Sequence, residues 1–67
     1  MGKRSYTADQ KRWCETYRHE TGFTPMMDSF ESGMETFHEA AIRSIRWYEA
    51  HSSDAHLRIQ RALPPKD

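Results

Sequence analysis

The sequence predicts an all-α fold, a helical hairpin followed by a short third helix, and three observations predict it. Helix start and stop signals divide the 67-residue chain into three segments. Apolar residues recur three and four apart through its middle, the spacing that places them on one helix face. No strand-like alternation runs longer than a few residues, and there is no internal repeat or low-complexity stretch.

The first helix is predicted over about residues 8 to 20. Thr7 and Gln10 have capping-box spacing, in which the Thr hydroxyl accepts from the Gln10 amide and the Gln side chain reaches back to the Thr7 amide. Tyr6, Gln10, Trp13, Cys14, Tyr17 and Thr21 then share one side, leaving Lys11, Arg12, Glu15 and Arg18 toward water. Gly22 supplies a left-handed residue after the last turn, and Phe23 is expected to fold back near Tyr17.

The second helix is predicted to run unbroken over about 25 to 50. Thr24 is read as its N-cap and Pro25 as its first residue, where a missing amide costs nothing. Met27, Phe30, Met34, Phe37, Ala41, Ile45 and Tyr48 form its apolar stripe. Gly33 lies within it, at a cost of about 1 kcal/mol relative to Ala. A third helix over about 54 to 63 follows a break near Ser52, with Ser52 and Ser53 as candidate caps and Pro64-Pro65 as the stop. If the second helix ran straight through, Ala55, Ile59 and Leu63 would extend its stripe but Leu57 would sit almost opposite it, which is the reason for reading a break or bend there. Residues 1–6 and 64–67 are expected to be flexible, and the whole chain to be one domain.

So short a chain buries only about 60% of the surface its unfolded form exposes. Apolar residues make up 36% of it, with four Met and eight aromatics among them. The stripe outruns the first helix, so the remainder must be covered either by the third helix folding back, as in a monomeric three-helix arrangement, or by a second copy packing antiparallel. Self-association is the expectation. Cys14 is the only cysteine, so no intramolecular disulfide and no Cys-based zinc site can form. Ten basic and ten acidic residues cancel, removing the overall cationic footprint of most nucleic-acid binders. The cancellation hides an asymmetry: Lys3, Arg4, Lys11, Arg12 and Arg18 crowd the first 18 residues, while Asp28, Glu31, Glu35 and Glu39 have no base between them. The lack of a secretory signal or a long apolar run predicts a cytoplasmic protein with no membrane partner.

No catalytic, cofactor-binding or metal site is predicted. Glu35 and His38 have the Glu-x-x-His spacing of carboxylate-bridged di-iron bundles, and a dimer with Glu15 or Glu20 could complete such a set. Glu35 is expected to point away from the stripe, which favours a solvated acidic face instead. His19, His38, His51 and His56 include no pair at metal-ligand spacing, and Cys14 is expected to act as a small apolar residue beside Trp13.

The run from Arg4 to Arg12, a helix, and then Gly22-Phe23-Thr24-Pro25 resemble the opening of transposase-type helix-turn-helix modules. That resemblance covers about half the chain and implies a second helix over Pro25 to Ser32, a turn at Gly33-Met34, and a recognition helix from Glu35 onward. The chain departs from the pattern where Glu35 and Glu39 open the recognition helix, because carboxylates there repel phosphates, and where Glu39 stands at a core position. In style, as a tiny chain rich in Trp, His and Met, it is also similar to accessory proteins of lambda-like phage early regions, a likeness carried by no motif.

The expected role is therefore that of a non-enzymatic accessory or regulatory protein that binds another protein. Two candidate docking surfaces are expected: the acidic ridge Asp28, Glu31, Glu35 and Glu39, and Trp47 between Arg43 and Arg46, which is exposed in a simple hairpin unless the third helix packs over it. The alternative is a small nucleic-acid-binding regulator using the basic N-terminal segment.

Overall fold

The chain starts its first helix as its capping residues dictate. In a computed structural model, which describes residues 4–49 and 54–65, the Gln10 amide donates to Thr7 Oγ1 at 3.1 Å and the Thr7 amide donates to Gln10 Oε1 at 2.9 Å. Helix α1 (Ala8–Thr21) follows, closed by Gly22 at φ 79°, whose N–H donates to the Arg18 carbonyl. Trp13, Cys14 and Tyr17 form its buried side. Among the described residues the remaining elements are α2 (Asp28–Glu31), α3 (Phe37–Glu49) and α4 (Ala55–Arg61), with no strand.

The single helix expected over 25–50 is instead two. Thr24 and Pro25 do not start it; they lie in a linker, and α2 begins only at Asp28. Three local causes divide α2 from α3. The Arg4 amide donates to the Glu31 carbonyl at 2.9 Å, occupying an acceptor that a continuing helix would use. Gly33 takes φ 86°, a left-handed conformation that residues with a Cβ rarely adopt. Thr36 and Glu39 then form a second capping box, with the Glu39 amide donating to Thr36 Oγ1 and the Thr36 amide donating to Glu39 Oε1. That pair has the same spacing as Thr7 and Gln10, and it starts α3 afresh.

The break changes which residues meet. On one straight helix Phe30 and Phe37 would be about 10 Å apart along the axis. Here their ring centroids stand 5.4 Å apart, edge to face. Met34 loses its predicted core place, since it sits in the turn and is 82% exposed. The other stripe residues Met27, Phe30, Phe37, Ala41 and Ile45 are buried, and Tyr48 packs against them partly covered.

Helix α1 meets α3 where the Trp13 ring packs on Phe37 and Tyr17 reaches Ser44, and Phe23, in the linker after α1, meets Trp47. Helix α4 covers both through Ala55 and Ile59, leaving Leu57 outside. Buried polar groups fix the register between the helices. The Trp13 indole N–H donates to the Ile59 carbonyl at 2.9 Å, and the Tyr17 hydroxyl donates to the Ser44 carbonyl at 2.9 Å. Ser44, fully buried, donates to the Ala40 carbonyl and accepts the Met26 amide, so it ties the linker to α3. Ala40 and Ala41 add no bulk where this close approach occurs.

This packing removes the length mismatch that motivated a dimer. Apart from Met34 and the partly covered Tyr48, the stripe residues are buried from within the chain, in one core with residues of α1 and α4 and with Tyr6 packed against it. The N-terminal arm also departs from expectation at residues 4–6, which are tied onto α2 rather than free. The expectations for residues 1–3, 66 and 67, and the capping roles of Ser52 and Ser53, fall outside the described residues. Among the described residues α3 reaches Glu49 and α4 begins at Ala55, and the break expected near Ser52 falls outside them as well.

Candidate protein-docking surface

The acidic ridge does not exist as one helix face. Asp28 and Glu31 belong to α2, Glu35 lies in the connecting turn, and Glu39 opens α3. Each of the last three is engaged from within the chain. Glu31 accepts from the Tyr6 hydroxyl, Glu35 stands 3.0 Å from the Arg43 guanidinium, and Glu39 caps Thr36. Two bases of the first 18 residues are engaged elsewhere: Arg12 pairs with Asp9, and Arg4 donates to the Gly33 carbonyl while lying over the Phe30 ring. A repelling row of carboxylates awaiting an outside cation is thus replaced by a set of local contacts.

The Glu-x-x-His pair is likewise split, because Glu35 is not helical and His38 sits in the first turn of α3. Glu20 pairs with Arg58 at 2.8 Å and Glu15 is exposed on α1. His56 lies 3.6 Å from Glu49, and His51 falls outside the described residues. Among the described residues, no three His, Cys, Asp or Glu side chains gather closely enough to hold a metal ion.

What the structure assembles is an aromatic surface on the outer side of α3. Phe23 does not fold back on Tyr17; its ring meets Trp47 edge to face at 5.2 Å and Tyr48 at 6.1 Å. Phe23 and Trp47 are 44% and 43% exposed, and Met26 in the same linker as Phe23 is exposed as well. α4 does not bury Trp47. The Arg43 guanidinium donates to the Met26 carbonyl at 3.3 Å, which holds the linker against this face. Arg43 and Arg46 then line a shallow groove with His38, Glu39 and Ile42 along the same helix.

Sequence reading named Arg43, Arg46 and Trp47 as candidates and did not place Phe23 with them. Helical spacing links only residues on one element, whereas Phe23 reaches Trp47 from the linker after α1. The signal present was Gly22: a left-handed turn redirects the chain, so the residue after it need not stay against the preceding helix.

Among the groups with shifted acidities, which include Tyr6, raised by burial and by Glu31, Cys14 and Tyr17 lie in the core without forming a site. Burial pushes the Cys14 thiol above its ordinary 9.0; Arg18 opposes the shift, while Glu31 and Glu15 reinforce it. Burial, followed by the nearby Tyr48, likewise raises the Tyr17 hydroxyl above 10.0. Such a thiol is a packed apolar group, not a ready nucleophile. A pH dependence follows. The unfolded chain releases these two protons near the ordinary values and the folded chain retains them, so stability is full below about pH 9 and falls as pH rises through the folded values, by up to about 1.4 kcal/mol per pH unit per group. Thermal melts between pH 8 and 10.5 check this, and the Cys14→Ala, Tyr17→Phe double variant is expected to melt with a flatter profile. Equal slopes in the two proteins would remove the assignment.

Among the described residues, no helix is long and apolar enough to cross a membrane. No protein-family model, no curated protein and no solved structure matches the chain.

Proposed function

We propose that the protein is a non-enzymatic accessory or regulatory factor that acts by binding another protein through the outer face of α3. The observation that carries this reading is the exposed Phe23–Trp47 pair, packed edge to face with Arg43 and Arg46 alongside. Exposing two large rings to water is unfavourable by roughly 25 cal/mol per Å² of apolar surface, and a partner that covers them recovers it. Trp and Arg are also the residue types that dominate binding energy at protein interfaces. The rings support each other and are partly ordered before binding, which lowers the entropy cost of docking.

The flanking charge selects the partner's chemistry. Arg43 is half-neutralised by Glu35, but Arg46 stands exposed at the next turn and gives the groove a cationic edge. The fitting occupant is a protein segment that presents an apolar side chain with carboxylates beside it. Panning a displayed random-peptide library on the folded protein tests this directly. Enriched peptides are expected to combine aromatic or aliphatic residues with Asp or Glu, to bind more weakly as salt rises, and to lose at least about tenfold in affinity on Trp47→Ala, the size of a hot-spot contact. No enrichment, or enriched peptides indifferent to both Trp47→Ala and Arg46→Glu, would overturn the reading.

A second reading, a small nucleic-acid-binding regulator, draws support from one observation. The order of a long helix, a short second helix, a turn at Gly33 and a third helix follows the segmentation that the helix-turn-helix resemblance implies. Against it, the outer face of α3 carries Glu39 and Glu49, and Glu35 holds Arg43. A labelled duplex titrated at low and physiological salt separates the two readings, since phosphate contacts weaken steeply with salt and would need Arg46 but not Phe23.

A further inference from the structure

The strongest unexplained feature is the attachment of the N-terminal residues to the smallest helix. Helix α2 has four residues and no side-chain cap at Met27, so it holds few hydrogen bonds of its own. Residues 4–6 reach its C-terminal end through Arg4 and Tyr6. The Arg4 amide donates to the Glu31 carbonyl at 2.9 Å, and its guanidinium donates to the Gly33 carbonyl at 3.3 Å. The same guanidinium lies 5.3 Å from the centre of the Phe30 ring. Two residues on, the Tyr6 hydroxyl donates to the Glu31 carboxylate, and the Tyr6 ring packs on Phe30 at 5.3 Å and Phe37 at 6.3 Å.

These contacts close both kinds of vacancy that a one-turn helix leaves. The strap supplies donors for carbonyls at the helix end, and it supplies an apolar lid for the rings of Phe30 and Phe37. Gly33 lies beside the strap, since a Cβ at that position would stand in ordinary van der Waals contact with the Arg4 guanidinium at 3.8 Å. Helices α1, α3 and α4 are joined to one another through Trp13, Tyr17, Ser44 and Ile59, none of which involves the strap.

We infer that the Arg4–Tyr6 strap is a latch on α2, so that α2 and the Gly33 turn open as a unit when the strap lifts while the other three helices stay folded. Opening uncovers Phe30 and Phe37, an apolar surface that the latched form keeps closed. The fold thus has a conformational device at the end of α1 remote from the Phe23–Trp47 pair, and it does not depend on that docking surface. Anything that competes for Arg4 or Tyr6, or removes them, shifts the same equilibrium.

Native-state amide hydrogen exchange on the full chain tests the latch. The reporters are the amides of Glu31, Ser32, Gly33, Met34 and Glu35, whose acceptors are the carbonyls of Met27, Asp28, Phe30 and Ser29. Arg4→Pro deletes the backbone donor and the guanidinium together, and Tyr6→Phe deletes only the hydroxyl that reaches Glu31. Arg4→Pro is expected to speed exchange at the five reporters by about tenfold or more, with Tyr6→Phe giving a smaller effect at the same positions, while amides in the middle of α1 and α3 change by less than about threefold. Unchanged reporters in both variants would mean that Met27 and Phe30 anchor α2 unaided, and the latch would be wrong. Equal acceleration at every amide, or unfolding of either variant, would show that the strap belongs to the global core and would equally overturn it.

Discussion

Replacing Phe37 with Asp is expected to unfold the protein, whereas replacing Glu35 with Gln is expected to leave it folded. Phe37 is buried where four elements meet, its ring touching those of Tyr6, Trp13 and Phe30. Removing a buried phenyl ring alone costs about 3–5 kcal/mol. An unpaired carboxylate left in that space adds several kcal/mol more, or drives the chain apart to hydrate it. A chain of this length has a total stability of only about 3–10 kcal/mol at typical values per residue. Glu35, two residues away, loses only a partly exposed ion pair with Arg43 on the same test, a contact of about 0–1 kcal/mol. Far-ultraviolet circular dichroism at 25 °C separates the pair of variants. A folded Phe37→Asp protein would mean that the aromatic cluster is not the centre of the core.

The second large effect is expected at Trp13, and here a graded pair of variants separates packing from hydrogen bonding. Trp13 is 1% exposed and is the largest fully buried side chain. It bridges α1 to α3 through Phe37 and α1 to α4 through the Ile59 carbonyl. Trp13→Ala removes both links and is expected to cost about 3–5 kcal/mol, enough to leave a large unfolded fraction at room temperature. Trp13→Phe keeps a ring and loses the indole donor. The Ile59 carbonyl still accepts the Ala62 amide at 3.2 Å, so its loss is partial and the extra cost of the missing bond is about 1 kcal/mol. Urea titrations followed by circular dichroism give both numbers. If Trp13→Ala and Trp13→Phe were equally destabilised, the hydrogen bond rather than the ring would be the anchor.

Both predictions rest on positions that periodicity already marks as inward. Trp13, Cys14 and Tyr17 are legible because α1 begins at one capping box and ends at one glycine, so its phase is unambiguous. The middle of the chain is less so. Phe30 and Phe37 lie seven residues apart and read as one face whether or not the helix is continuous, which conceals the break. Thr36 and Glu39 carry the same start signal as Thr7 and Gln10, and with Gly33 just before them the break has a local signature. An unbroken apolar period outweighs that signature when the period alone is weighed. Met34 shows the consequence, since one left-handed residue before it turns a stripe position into an exposed one.

The candidate surface divides in the same way. Trp47, Arg43 and Arg46 are one helix turn apart and fall out of α3's own geometry. Their neighbour Phe23 and the fate of the four carboxylates do not, because each depends on a contact across a long sequence interval. Tyr6 meets Glu31 across 25 residues, and Arg43 reaches the Met26 carbonyl across 17.

The sequence by itself determined that the protein is all-helical, where its first helix starts and stops, which side of that helix is buried, and that Pro64-Pro65 follows the last helix. These are consequences of contacts within four residues, such as caps, a left-handed glycine and helical period, and they are written in adjacent letters. Only the tertiary structure decided that the central helix divides, that the acidic residues are spent on internal partners, that the N-terminal residues bind α2, and that Phe23 joins Trp47 on the surface. Each of those depends on a hydrogen bond or ring contact between distant segments, whose energy is comparable to the local preference it overrides, so no reading of neighbouring residues could rank them.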